Sequence, residues 1–504
     1  MALMGGLCRD RKWLVLPALA MSTSIALMDS TILPVALPTL RQAFDLSSVA
    51  VQWIMNSYLL VLACFVFVGG RLADFWGKRF VFCLGMGLFG VASIIGGCAY
   101  HQFFLIFSRS LQGLGSALML PASMAILPEV VPQEQQGRAI GSIVSISSLF
   151  LCLGPLIGGG FAEYLSWRWI FFINIPIVIG GIWIIIKTLS CSEKKQEEFH
   201  WLGFFMFIGM LNTLILALMQ AREWGWGSIG VVLLFTLSGF FACMLVWLLP
   251  RARVPFIDYH LFKNASFMGA NLIVVCVQFV LMVGIYWVIY FQSTLHYTPF
   301  QAGALLLIST LPVVFGAPLS GYLTDRFGAR TPILVGFSII CLSFLLWMSP
   351  SADKLFLLIP TLFLFGAGSA LVMTPVGKTM LNAVPRTRTG AGMGIYSTLR
   401  HTAAPLGVAV LGSLMNNISF FSFAKYGEQE EVLRGLDFMY YGELIAGGVS
   451  LLPHLDGLSL YQIAFLKNLF SRAADEALFY VNLTCLIVSF LGLAFSLVYL
   501  KKQK

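Results

Sequence analysis

Apolar residues in this chain run in blocks of roughly 20, the length that crosses the hydrocarbon core of a bilayer as an α-helix. Such blocks cover 14–36, 50–70, 80–99, 104–128, 138–161, 168–188, 201–220, 228–249, 266–291, 302–323, 331–349, 355–377, 392–416 and 477–500. Fourteen spans put both termini on one side. Polar residues collect in the gaps and in one long stretch, 418–476, expected to lie outside the membrane. Within it, "LSLYQIAFLKNLFSRAADEALF" has the helical spacing of an amphipathic helix at the membrane surface.

Two of the gaps repeat each other. In "GGRLADFWGKRF", Gly70, Asp74, Gly77 and Arg79 have the spacing that Gly321, Asp325, Gly328 and Arg330 have in "SGYLTDRFGAR". A repeat shared by two halves is the organisation of a carrier built from two similar bundles. Six spans make one bundle, so 201–220 and 228–249 fall between the halves. The expected fold is all-α and membrane-integral: two six-helix bundles plus two additional central spans. Its parts are an N-terminal bundle over 1–190, the linking pair over 191–255, and a C-terminal bundle over 256–504 that includes 418–476.

Composition agrees with the pattern. Of 504 residues, 59% are hydrophobic and 11% charged, against about 25% charged in soluble proteins. The net charge of +9 suggests nucleic acid only until it is mapped. Lys and Arg concentrate in the loops on the side of the termini, which places both termini in the cytoplasm and removes that reading. The basic N-terminus leads into an apolar run that continues past Asp29, so it reads as an uncleaved first span of a cell-membrane protein. The ten cysteines avoid 418–476 and form no Cys-x-x-Cys or Cys/His cluster, so neither a disulfide framework nor a metal site is expected. No nucleotide loop of the GxxxxGK[ST] type and no nucleophile elbow appears, which argues against an enzyme or an ATP-driven pump.

Candidate chemistry lies in the few polar residues inside spans. Asp29 is an acid well inside the first span, where an isolated charge costs at least about 2.5–3.5 kcal/mol. It reads either as a reversible proton carrier or as a structural hydrogen-bonding group. Arg109, with Gln112 one turn on, cannot deprotonate and needs a carboxylate, a carbonyl or water; it reads as a coupling residue or as half of a structural pair. In "GPLIGGG", Gly154, Pro155, Gly158 and Gly159 predict a bent, closely packed fifth span, which ordinary helix packing also explains. The repeated turn, with Arg71 beside Asp74, reads as a conformational latch: Gly77 and Gly328 permit a tight turn, while Asp74 and Asp325 can cap a helix or pair with an arginine. In the thirteenth span Arg400 reads as a snorkelling cation, and His401 as an interhelix donor or a proton relay. Trp53, Asn56, Tyr58, Gln112, Asn271, Gln278 and Tyr286 are candidates for an aromatic and amide-lined cavity, each with an ordinary interhelix role as the alternative.

These motifs, with "MDSTILPVALP", "RSLQG" and "WRWIFFINIP", resemble the major facilitator superfamily, and most of all its fourteen-span drug:proton antiporter branch of the EmrB/QacA type. The resemblance implies proton-driven efflux of hydrophobic or amphipathic small molecules, with no cofactor. It implies Asp29 and Arg109 at the coupling positions and Gly154–Pro155 in the antiporter motif. The expected partners are substrate, protons and the lipid bilayer, with a periplasmic adaptor on the external face as a further candidate. Two departures stand out: spans 302–323 and 392–416 hold no acid, which disfavours polycationic substrates, and His401 stands where relatives often carry Gln. A carrier of a metabolite, siderophore or lipid on the same scaffold, importing or exporting, is the competing reading.

Overall fold

The computed structural model describes residues 14–189, 200–248, 251, 259–348, 354–428 and 460–500. Among them are fourteen helices long and apolar enough to cross a membrane, and no strand. The first six are α1 (Val15–Phe44), α2 (Ser48–Trp76), α3 (Lys78–Gly97), α4 (Gln102–Val130), α5 (Gln136–Tyr164) and α6 (Trp169–Thr188). A pair follows, α7 (Trp201–Trp224) and α8 (Ile229–Leu248). The last six are α9 (Ala265–Ser293), α10 (Pro299–Phe327), α11 (Arg330–Trp347), α12 (Lys354–Asn382), α13 (Thr389–Glu428) and α14 (Leu460–Tyr499).

The two sets of six repeat one packing scheme. In the first, α1 packs on α5 and α6, and α4 on α2 and α3; in the second, α9 packs on α13 and α14, and α12 on α10 and α11. The sets meet along two seams, α2 against α13 and α5 against α10. Glycine makes both seams possible. A Cβ on Gly70 would collide with the Gly390 carbonyl, and one on Gly321 with the Gly137 carbonyl, so the backbones touch where side chains would hold them apart. Close contact of small residues drives helix association in lipid, where burial of apolar surface gives no advantage. The α7–α8 hairpin lies outside the bundles, with α7 against α2 and α13.

Helix α9 is not continuous: its regular segments, Ala265–Leu281 and Val283–Ser293, break at Met282, whose N–H turns to the Phe279 carbonyl at 3.2 Å. The ends of α13 and α14 differ from the sequence expectation. Both run for 40 residues, about 60 Å, or twice the hydrocarbon core. Residues 418–428 are therefore helical, and 460–476 continue into the last span instead of forming a separate surface helix. No proline lies between Leu460 and Tyr499, so nothing obliges the helix to stop at the membrane. The rest of the polar stretch, 429–459, lies outside the described residues.

Candidate functional site

Asp29 and Arg109 meet in the interior of the first bundle, each 1% exposed. Arg109 Nη1 donates to Asp29 Oδ2 and also to Gln112 Oε1 at 2.6 Å. Gly113 explains how the arginine is held. A Cβ there would come within 2.5 Å of the Tyr58 carbonyl, so α4 lies directly on the backbone of α2. One turn earlier on both helices, the Ile54 carbonyl accepts from Arg109 Nε at 3.3 Å, and the guanidinium lies 4.5 Å from the centre of the Tyr58 ring.

The network continues away from the ion pair. Gln112 Nε2 donates to Ser93 Oγ at 2.9 Å and reaches Asp29 Oδ1 at 3.5 Å; Asn174 Nδ2 donates to the same Ser93 hydroxyl at 3.4 Å. Tyr58 Oη pairs with Ser116 Oγ at 3.1 Å. Five helices, α1, α2, α3, α4 and α6, thus contribute to one buried polar cluster. Removing one partner of such an ion pair strands the other charge at a cost of about 3–5 kcal/mol. Ser93, Ser116 and Asn174 were not singled out in the sequence, where single small polar residues in apolar runs carry no distinguishing signal.

The glycines of α5 face α1 beside Asp29. A Cβ on Gly154 would strike Thr31 Oγ1, and one on Gly158 would lie 2.6 Å from the Ile32 carbonyl; Thr31 Oγ1 donates back to the Leu151 carbonyl at 3.1 Å. Gly159 is looser, with Val35 at 3.7 Å, and Pro155 is exposed. The helix carrying the acid is therefore held against the Gly-Pro segment by backbone contact.

The repeated turns form a matched pair across the seams. Asp74 at the end of α2 accepts the N–H groups of Gly390 and Ala391, at 2.8 and 2.7 Å, at the start of α13. Asp325 at the end of α10 accepts those of Gly137 and Arg138, at 2.8 and 3.0 Å, at the start of α5. Each carboxylate thus caps the positive end of a helix from the opposite half, an interaction of about 0.3–2 kcal/mol beyond its hydrogen bonds. Gly77 and Gly328 adopt φ of 92° and 79°, a region that favours glycine, and turn the chain straight into the next helix. Arg79 Nη1 then donates to the Leu189 carbonyl at 2.6 Å, and Arg330 Nη2 to the Leu497 carbonyl at 3.3 Å. Arg71 stacks on Phe75, 5.1 Å from its centroid. The halves differ in one cation: Lys378 Nζ binds Asp325 at 2.5 Å, whereas Lys78 binds Glu129 at 2.8 Å.

The seven cavity candidates do not share one wall. Tyr58 and Gln112 belong to the buried cluster. Trp53 and Asn56 line a small crevice between α2 and α7, with Gln52, Leu60, Leu216, Met219 and Gln220. Asn271 is buried and donates to the Phe267 carbonyl of its own helix at 3.0 Å, while Tyr286 donates to the Val408 carbonyl at 2.5 Å. Gln278 accepts from Arg400 Nε at 3.3 Å.

The sequence profile of the Major Facilitator Superfamily matches residues 19–408. The multidrug resistance protein Stp of Mycobacterium tuberculosis is 31% identical over 410 residues, 80% of this chain and 75% of the relative. The tetracenomycin C resistance and export protein of Streptomyces glaucescens is 29% identical, over 81% of this chain and 76% of that protein. The riboflavin transporter RibZ of Clostridioides difficile is 29% identical, over 80% and 88% respectively. Among solved structures, the human organic anion transporter MFSD10 superposes with a TM-score of 0.61 over 96% of this chain and 99% of that one; at 13% identity this likeness concerns the fold alone.

Proposed function

We propose that this chain, which belongs to the major facilitator superfamily, is a proton-coupled antiporter that expels hydrophobic or amphipathic small molecules. It is a multi-pass membrane transporter, not an enzyme. The observation that carries the coupling is the buried Asp29–Arg109 pair, with the α5 glycines packed on the helix that bears the acid. Protonation of Asp29 releases Arg109 from its counter-ion, and deprotonation restores the pair. Arg109 keeps its charge throughout, so the network has two discrete arrangements that a proton gradient can drive, with no cofactor. The two aspartate caps hold the halves together at one end, and breaking them lets the bundles rock about the seams. Residues 1–190 and 256–504 act as the moving halves and 191–255 as the pair between them. The protein resides in a bacterial cell membrane with both termini cytoplasmic, which puts the capped end on the cytoplasmic side. A periplasmic adaptor would meet the opposite face.

Reconstituted vesicles test this reading. Asp29→Asn mimics the protonated acid, so gradient-driven efflux should be lost while downhill movement persists. Substrate-induced proton release from the purified protein should vanish in the same variant. Efflux against a gradient at the wild-type rate would return Asp29 to a structural role. The likeness to a riboflavin transporter supports a second reading, a metabolite carrier on the same scaffold, with import as one direction; the direction of movement in everted vesicles separates the two.

A further inference from the structure

We infer that Arg400 is an anion-recognising residue of the second bundle, and that the preferred cargo is an amphipath bearing a carboxylate. The inference rests on the reading of the chain as a small-molecule carrier and narrows it. Arg400 is the twelfth residue of α13, roughly 16 Å from the start of that helix, and Gln278 stands roughly 20 Å into α9. Both helices begin on the same side of the membrane, so the contact is near the middle of a core about 30 Å thick.

A guanidinium at that depth cannot discard its proton and presents five N–H donors. Among the described residues one of them is engaged, Arg400 Nε donating to Gln278 Oε1, and no carboxylate pairs with the charge. Arg109 is the contrast, buried against Asp29. The acids at the ends of the second bundle are engaged elsewhere, Asp325 by the start of α5 and Lys378, and Asp475 by the Tyr290 hydroxyl at 2.5 Å.

The internal symmetry shows that helix packing does not require this cation. Ser147 stands ten residues after Gly137, and Arg400 ten after Gly390, the two residues whose N–H groups are capped across the seams. At the corresponding place in the first bundle the contact between α1 and α5 is Ser24 Oγ to Ser147 Oγ, 3.4 Å, with no charge at all. A neutral pair suffices there, so the arginine answers a different need. One turn beyond Gln278, α9 breaks at Met282, and α13 lies tight on that break: a Cβ on Gly407 would stand 2.9 Å from the Phe279 carbonyl. Interrupted helices near the midplane are where carriers of this architecture build ligand sites. An uncompensated planar guanidinium in low dielectric favours a carboxylate through paired hydrogen bonds and repels a cation.

Three pyrene probes with one apolar body test this: 1-pyrenebutanoate, its methyl ester and 1-pyrenebutylamine, binding to the purified full-length protein and carried in vesicles. Wild type should bind the butanoate at least about tenfold more tightly than the ester, the effect of a single favourable charge contact. Arg400→Gln should bring that ratio close to one with ester binding retained, and Arg400→Lys should keep part of it. Gln278→Glu leaves Arg400 in place but supplies a counter-ion, and should shift preference from the butanoate toward the amine. A ratio near one in wild type, or a ratio unchanged in Arg400→Gln, overturns the anion assignment while ester transport still supports a carrier. Absence of binding and transport for all three probes overturns the reading of hydrophobic or amphipathic cargo, and this inference with it.

Discussion

Asp74 and Gly390 are separated by 316 positions in the chain, yet the Asp74 carboxylate accepts the Gly390 N–H at 2.8 Å. The contact joins the end of α2 to the start of α13 and therefore exists only when the two halves are closed at that end. Asp325 makes the same contact with Gly137 on the other seam.

Asp74→Asn removes the charge from this cap while keeping its shape. The closed arrangement should lose about 1–2 kcal/mol, so turnover should fall several-fold with substrate affinity little changed, because the cap lies outside the candidate ligand groups. Binding and flux measured on the same preparation check it. Loss of binding at unchanged turnover would make the turn part of a ligand site.

Asp325→Asn should be the more severe of the two. It removes the cap and also leaves Lys378, paired with that carboxylate at 2.5 Å, without its counter-ion, whereas Lys78 beside Asp74 keeps Glu129. Comparing the turnover of both variants with Asp325→Asn/Lys378→Met decides whether the lysine accounts for the difference.

Gly390→Val places a side chain against the Gly70 backbone, where the available distance is too short for any Cβ. The α2–α13 seam should fail to close. A single cysteine at Ser145, in a background without the ten native cysteines, reports this from the other seam, since Ser145 is half-buried there and its hydroxyl donates to the Val314 carbonyl of α10. Labelling from the cytoplasmic side should rise in Gly390→Val; labelling equal to the parent would mean that the seams move independently.

Arg109→Gln should destabilise the protein by up to about 3–5 kcal/mol, because buried Asp29 loses its counter-ion. Adding Asp29→Asn should restore part of that loss, giving a coupling between the two positions of about 1 kcal/mol or more. Thermal unfolding in detergent measures it, and additive losses would show that the pair is held by the surrounding cluster and not by its own attraction.

Reporter fusions at Lys194 and Arg253 should read cytoplasmic and one at Gly435 external, as the distribution of Lys and Arg requires. A cytoplasmic reading at Gly435 would break the arrangement of six, two and six spans.

The spans were legible because bilayer thickness fixes their length, and the repeated turn because glycine and aspartate recur there at fixed spacing. What Asp74 and Asp325 touch was not legible: their partners are backbone N–H groups of Gly390, Ala391, Gly137 and Arg138, and a backbone donor has no residue signature. Ser93 and Asn174 were hidden for a related reason, since a lone hydroxyl or amide becomes part of a cluster only once three helices bring Ser93 to Gln112 and Asn174 to Ser93. Polarity misled at the end of α13, where Ser419, Ser422 and Lys425 fall in the external stretch 418–476 but continue a helix that has already left the apolar core.

The α7–α8 hairpin has a consequence for the membrane around the protein. Because α7 rests on α2 and α13, that seam is shielded by protein, whereas among the described residues α5 and α10 have no such packing against the hairpin. Lipid tails therefore border the two edges of the molecule unequally. A bilayer that thickens or stiffens presses on the α5–α10 edge directly and on the other only through the hairpin, so the surrounding lipid acts on this carrier from one flank.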